Sequence, residues 1–291
     1  VILKQPSELK TLLKSITDRR QFHRISDTKG YSGAYLYDIY SLFCNSCVNN
    51  ESFEDWFALN YPDQAEFAAI YDDILREFEE TKVQFNYADF NDLLIKMRNE
   101  LKNGSAICFD EILVDEYQDT NSLQGSLIDA FNTKSLFCVG DFDQSIYAFN
   151  GANIEIIGSF KERYIGANIY SLNINYRSSA KILALANKVI ANNPRLYPKS
   201  LEVSRDGEFK SPVLLVYDEL FVQYSAVAEI IAKSRYHKSD IAIIFRNNSS
   251  ADGLEVALKE QGISCKRKGG VSFFEAREIK ALIDLVAILV N

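Results

Sequence analysis

The sequence predicts an α/β protein, with parallel sheets flanked by helices and a helical subdomain ahead of them, and three observations carry that expectation. From Ser7 to about Leu101, apolar residues recur at three- and four-residue spacing in LKTLLKSI, AYLYDIYSLF, FAAIYDDILREFEE and FNDLLIKM, the period of amphipathic helices. From Ala106 onward, short apolar runs alternate with helical stretches: AICFDEILV, SLFCVG, NIYSL, PVLLVY and DIAIIF are the strand candidates. That alternation is the order in which parallel sheets are covered by helices. The residues richest in chemistry fall just after these runs, and in such sheets ligands gather beyond the carboxyl ends of the strands.

The bulk composition agrees. With 291 residues, 47% of them apolar and 12% aromatic, the chain can bury a proper core, which excludes a disordered protein and suggests two domains or one with an insertion. No fixed-period repeat or low-complexity run interrupts it. No window approaches the roughly 18 uninterrupted apolar residues of a membrane span, and no cleavable leader opens the chain, so a cytoplasmic protein without membrane contact is expected.

Five cysteines, an odd number, suit a reducing compartment better than a disulfide framework. Cys108 and Cys138 sit in apolar runs and are expected in the core. Cys44 and Cys47 form a CxxC, but no second pair follows, and His23 and His237 are distant; a structural zinc wants four ligands, so no metal is expected there. The net charge of −8 does not exclude nucleic acid, because a groove can be locally positive on an acidic protein. The chain opens at Val1 and closes within FFEAREIKALIDLVAILVN, an apolar helical pattern, and both ends are expected to be cut.

Three runs carry the chemistry. In ILVDEYQDTNSLQ, residues 112–124, a strand delivers Asp115 and Glu116 at its tip, with Asp119 close behind. Acids this near repel one another unless a cation or hydrogen-bond donors offset them. A strand ending in Asp-Glu suits nucleotide hydrolysis: the first acid holds magnesium through water, and the second orients and polarises the attacking water. In VGDFDQSIYAFNGA, residues 139–152, Gln144 can both donate and accept, and so bridge a phosphate and a water. Tyr147 and Phe149, two apart, would share one face of an extended segment and offer platforms for unstacked bases, unless they belong to the core. In LNINYRSSAKILALAN, residues 172–187, a strand passes to a helix with Ser178 or Ser179 as N-cap. Arg177 just before it can reach a γ-phosphate, and Tyr176 can stack on a purine.

DEYQDTN, GDFDQSIYAFNGA and NYRSS, in this order and roughly this spacing, resemble motifs II, III and IV of the UvrD/Rep/PcrA group of superfamily 1 DNA helicases. DFNDLL at 89–94, NNPRLYPKSL at 192–201, DIAIIFRNN and GGVSFFEAREIK are similar to further segments of that family, so the resemblance covers about residues 65–291. It implies RecA-like, P-loop NTPase-type motor domains, here incomplete. Residues 1–86 would be a helical 1B-like subdomain, 87–171 the second half of motor domain 1A, and 172–291 the first half of motor domain 2A up to the 2B insertion.

Carried over residue by residue, the resemblance makes Asp115 a magnesium ligand and Glu116 the catalytic base beside the metal. Gln144 would contact the γ-phosphate of ATP, Arg177 would serve as an arginine finger, and Tyr176 would stack on adenine. Tyr147 and Phe149 would pack against single-stranded bases, and Arg246 and Asn248 would touch DNA. The implied activity is ATP-driven 3′ to 5′ movement on single-stranded DNA and unwinding of partly duplex DNA, in repair or replication with their proteins as partners.

Departures temper this. Phe149 stands where the family commonly has Trp and Asn150 where it has Arg, which weakens stacking and removes a basic contact. Phe142 replaces a residue that is often Asp or Ala. After Asn248 the usual Gln-Ser-Arg is replaced by Ser250, Ala251 and Asp252, which removes a cation. No G-x-x-x-x-G-K-[ST] occurs in the 291 residues, so the backbone cradle for phosphates and its lysine are absent. The expectation is therefore a central piece of a helicase, with little or no ATP hydrolysis of its own. Two alternatives are an AddA/RecB-like helicase-nuclease subunit and a non-catalytic scaffold that binds DNA or protein.

Overall fold

The computed structural model describes residues 1–20, 32–46, 51–104, 107–193, 199, 201–204, 207, 209–269 and 277–290. Cys47, His23, residues 194–198 and 200 of the NNPRLYPKSL match and residues 270–276 of the GGVSFFEAREIK match lie outside them. By its internal contacts the chain divides into Val1–Phe209 and Lys210–Asn291.

In the first unit a short strand β1 (Ile2–Leu3) leads into helices α1 (Pro6–Arg19), α2 (Gly33–Ser46), α3 (Phe53–Asn60) and α4 (Ala68–Gln84). The helical periodicity over these residues therefore reports real helices. Their apolar stripes meet in one core that includes Leu13, Phe57, Tyr71 and Phe78, all fully buried. The rings of Phe57 and Tyr71 meet edge to face at 5.1 Å, a favoured aromatic geometry. Lys82 of α4 is buried too, held by Glu79 and Asp92; burial alone would depress its pKa, but those carboxylates raise it.

Strand β2 (Tyr87–Ala88) pairs in parallel with β1, and helix α5 (Phe90–Lys102) follows at once. Its start explains the DFNDLL run: the Asp89 carboxylate accepts the Asp92 amide at 2.9 Å and the Asp92 carboxylate accepts the Asp89 amide at 2.8 Å. This reciprocal cap satisfies two amides that the first helical turn leaves unpaired.

Strands β3 (Cys108–Val114) and β4 (Asn132–Cys138) then form a parallel pair, with helix α6 (Ser122–Ala130) between them as the crossover. Short helices α7 (Ile154–Gly158) and α8 (Phe160–Arg163) follow, then β5 (Ile174–Asn175), α9 (Ala180–Ile190) and β6 (Glu202–Val203), with β5 and β6 again parallel. The second unit holds α10 (Leu220–Ala232), α11 (Asn248–Glu260) and α12 (Arg277–Val290). Its core is the seam of α10 and α11 around Ala228, Ile231, Ala257 and Leu258. Gly253 lies against the Tyr224 ring, where any larger residue would collide.

The fold is thus helices with small parallel sheets, but three strand expectations fail. Residues 168–172, 212–217 and 240–245 are not strands. Among the described residues no backbone hydrogen bond pairs 212–217 with a neighbour, and Leu214 is 87% exposed. An apolar, β-branched run becomes a strand only when another strand supplies its hydrogen bonds, and none does so here. Cys108 corrects a second expectation: it is exposed rather than in the core, because among the described residues β3 has a single strand neighbour and most of its residues face solvent. Cys44 and Cys138 are partly buried, and burial pushes the Cys138 thiol up to about 11.

Candidate functional site

Strand β3 ends at Val114, and the chain turns so sharply there that Glu116 adopts the left-handed conformation, at φ 50° and ψ 42°. A glutamate in that region is uncommon and costs energy, and such strain is held where the surroundings over-determine it. Three bonds do so here. The Asp115 Oδ1 accepts the Glu116 amide at 2.9 Å, the Tyr117 amide donates to the Val139 carbonyl at 2.9 Å, and Gln118 Nε2 donates to Glu116 Oε2 at 2.8 Å. Asp115 and Glu116 are both exposed, so the acids stand at the strand end and are not sunk in the core.

Gln118 itself is buried, at 2% exposure, and faces both ways. Its Oε1 accepts the amide of Asp141 at 2.9 Å, in the loop after β4. Gly140 is glycine because of that contact: a Cβ there would lie 2.9 Å from the same Oε1 and 3.1 Å from Ile157 Cδ1. The DEYQDTN turn and the GDFDQ loop are therefore joined by one side chain.

The Asp141 carboxylate organises the second loop. Its Oδ1 accepts the Asp143 amide at 3.0 Å and pairs with Lys199, and its Oδ2 accepts Gln144 Nε2 at 2.7 Å. Burial works to raise the Asp141 pKa, but Lys199 and Gln144 outweigh it and hold the group below the ordinary carboxylate value. Lys199 also approaches Asp143 at 3.9 Å.

Behind the acids, Tyr117 is buried against Phe160, ring centroids 5.6 Å apart, and its hydroxyl accepts from Arg163 at 3.2 Å. Burial raises its pKa. Arg163 in turn pairs with Asp129 at 2.5 Å, tying α8 to α6. A cavity of about 220 Å³ lies beside this pair, lined by Ser122, Ser126 and Ile156 among others.

Tyr147 and Phe149 do not lie on an extended segment. Residues Ala148–Asn150 form a 3-10 turn closed by Gly151 at φ 87°, and the two rings sit 5.9 Å apart at 40°. They are not core residues, at 43% and 62% exposure. The turn rests on the helical subdomain: a Cβ on Gly151 would lie 3.1 Å from Asn45 Cβ and 3.3 Å from Leu42 Cδ1 of α2.

Tyr176 and Arg177 are exposed in the turn between β5 and α9, where the Asn175 side chain accepts the amides of Arg177 at 3.1 Å and Ser178 at 2.8 Å. Ser179 is the N-cap by position, yet its hydroxyl makes no cap bond and is buried with no hydrogen-bond partner among the described residues. Arg246 and Asn248 lie in the second unit, both exposed at the start of α11; the Asn248 carbonyl accepts from Arg267 at 2.7 Å.

The structure thus joins Asp115, Glu116 and Gln144 in one network, through Gln118, Gly140 and Asp141. Sequence reasoning quoted these three connectors and Lys199 within its runs but gave none of them a role. The signal for Gln118 was present: an uncharged polar residue amid acids, two positions after Glu116. Chemically, the arrangement offers an exposed carboxylate beside a second one oriented by an amide, with a glutamine whose NH₂ is already engaged and whose carbonyl can accept. Among the described residues no group of three or more His, Cys, Asp or Glu could cage a metal ion. A cation held through water on one or two carboxylates, as magnesium usually is, needs no such cage, and the Asp115–Glu116 tip fits that demand.

Comparison with known proteins identifies the family. The UvrD/REP helicase N-terminal domain matches residues 3–165, and the UvrD-like helicase C-terminal domain matches 170–291. A probable DNA helicase II homolog of Mycoplasma capricolum is 35% identical over 241 residues, 77% of this chain and 32% of that protein. A probable DNA helicase II homolog of Rickettsia conorii is 34% identical over 230 residues, 75% of this chain and 35% of its own length. The ATP-dependent DNA helicase PcrA of Staphylococcus epidermidis is 38% identical over 187 residues, 63% of this chain and 26% of its own. The chain spans about a third of the length of the curated relatives it matches. With both domains matched in order across nearly its whole length, the chain belongs to the UvrD/Rep family of DNA helicases.

Proposed function

We propose that this chain is the central part of an ATP-dependent DNA helicase that moves 3′ to 5′ on single-stranded DNA and opens partly duplex DNA. Residues 1–86 form its 1B-like subdomain, 87–171 the second half of the RecA-like 1A motor domain and 172–291 the first half of 2A. The observation that carries the reading is the Gln118 bridge, which holds Glu116 and the Asp141–Gln144 loop in one network. Two carboxylates and an amide positioned together at a strand end are what phosphoryl transfer to water asks of such a site.

Bound ATP with Mg²⁺ supplies the scissile phosphoanhydride and the positive charge that offsets its oxygens. Asp115 offers a carboxylate oxygen toward the metal. Glu116, fixed by Gln118, orients a water and takes up its proton. Gln144, anchored through its NH₂, presents its carbonyl to the same water or its NH₂ to the γ-phosphate when released. Arg177 meets developing phosphate charge and Tyr176 covers the adenine. Tyr147 and Phe149, exposed and side by side, stack on unpaired bases, each worth about 1–3 kcal/mol. Arg246 and Asn248 contact the DNA backbone. Among the described residues no helix is long and apolar enough to cross a membrane. We place the protein in the cytoplasm, in DNA repair or replication.

The phosphate cradle is not in these 291 residues, so the chain alone should turn over little or no ATP. The test is steady-state ATPase with and without single-stranded DNA. The intact motor should show DNA-stimulated turnover that Glu116→Gln abolishes, and the 291-residue chain should not. Stimulated turnover by the chain near that of the intact motor would refute the assignment.

A further inference from the structure

Lys199 is the one described residue between 194 and 200, and it reaches back to the loop after β4. Its ammonium pairs with Asp141 Oδ1 and lies 3.9 Å from Asp143 Oδ2, and its side chain is only 20% exposed. Asp141 spends its other oxygen on Gln144, whose Nε2 donates at 2.7 Å. Lys199, Asp141 and Gln144 thus form a three-member chain of charge-assisted hydrogen bonds. Such bonds are shorter and stronger than neutral ones, and a carboxylate held from two sides cannot rotate away from the group it accepts. The Asp141 carboxylate is met by those two side chains and by the Asp143 backbone amide, while the Gln144 backbone amide donates to the Asp141 carbonyl and closes the turn.

The pair also joins distant stretches of sequence. Asp141 and Gln144 lie in the segment matched by the N-terminal family domain, and Lys199 lies in the segment matched by the C-terminal one. Both ends of the bond lie within Val1–Phe209, so it ties two stretches of one compact unit that are far apart in sequence.

We infer that Lys199 is a positioning residue for Gln144, acting through Asp141: its charge locks the Asp141 carboxylate, and that carboxylate fixes the direction in which the Gln144 amide points. This rests on the proposed function only for its consequence in ATP turnover; the positioning itself is a property of this chain.

The test therefore has two arms. In the 291-residue chain, the ¹⁵N-labelled side-chain amide of Gln144, assigned through Gln144→Glu, should give a dispersed, ordered resonance. Lys199→Met should collapse it toward the free-amide position while Lys199→Arg retains it, and the dispersion of the core methyl signals should stay unchanged in both. In the intact motor, Lys199→Met should lower DNA-stimulated ATP turnover on the order of tenfold or more, as a misplaced catalytic group does. Lys199→Arg should restore most of it, and Lys199→Met should add no loss in a Gln144→Ala background. A Gln144 resonance unchanged by Lys199→Met, or turnover losses that multiply in the double variant, would overturn the inference. If the wild-type intact protein turns over no ATP, the proposed function fails by itself, and the amide measurement still decides the role of Lys199.

Discussion

Gly140 lies so close to Gln118 that a Cβ on the glycine would stand 2.9 Å from the Gln118 Oε1. That spacing lets the loop after β4 lie flat on the turn after β3 and gives Gln118 the Asp141 amide as a donor. Gly140→Ala should push the two apart. Overpacking of this kind costs about 1–3 kcal/mol, and denaturant unfolding should show a midpoint shift of that size with an unchanged slope.

Gln118→Leu keeps the volume and removes both hydrogen bonds. The Asp141 amide then loses its acceptor beside a buried side chain, a loss of about 1–3 kcal/mol. Glu116 is released at the same time, so the intact motor should lose turnover in excess of its loss of stability. Retained turnover at lowered stability would show that Gln118 is merely a packing residue.

The backbone at Glu116 supplies a separate check. Glu116→Ala and Glu116→Gly both delete the carboxylate, but only alanine keeps a Cβ in the left-handed region. The glycine variant should be the more stable by about 1–2 kcal/mol, the penalty that region imposes on a side chain. Both should be inactive. Equal stabilities would mean that the turn relaxes when the carboxylate is removed.

Asp141 predicts a pH effect with a definite sign. Its folded pKa lies below the ordinary value, so its contribution to stability is present above about pH 4, the unfolded carboxylate value, and is lost as pH falls through the lower folded value. Lys199→Met removes the partner that lowers it. In acid titrations followed by circular dichroism, the variant should begin to unfold at a higher pH than the wild type.

The cysteines should separate by reactivity. Cys108 is exposed, whereas burial raises the thiol pKa of Cys138 to about 11 and that of Cys44 to about 12. The thiolate is the reacting species, so iodoacetamide at pH 8 should label Cys108 well ahead of both, as read by mass spectrometry of tryptic peptides. Preferential labelling of Cys44 would contradict the packing of α2 against α4.

Much of this was legible beforehand. Helices α1, α2, α4 and α5 follow from apolar spacing, because every hydrogen bond of a helix closes within four residues of its own sequence. The strand that delivers Asp115 and Glu116 was legible for a related reason: an apolar run between breakers, followed by acids, is a local pattern. The extended reading of Tyr147 and Phe149 failed because the 3-10 turn is closed by Gly151 pressed on Asn45 and Leu42, residues about a hundred positions earlier.

What the sequence by itself determined is helices α1, α2, α4 and α5, the β3 and β4 strands and the chemical identity of the groups at the strand ends. Tertiary structure alone decided which apolar runs pair as strands, since 212–217 has the composition of one and no neighbour among the described residues to complete it. It also decided the Gln118 bridge and the reach of Lys199 across 58 residues to Asp141. The physical reason is range: a helix satisfies its own backbone, whereas a strand's hydrogen bonds and a side chain's partner come from wherever the folded chain brings them.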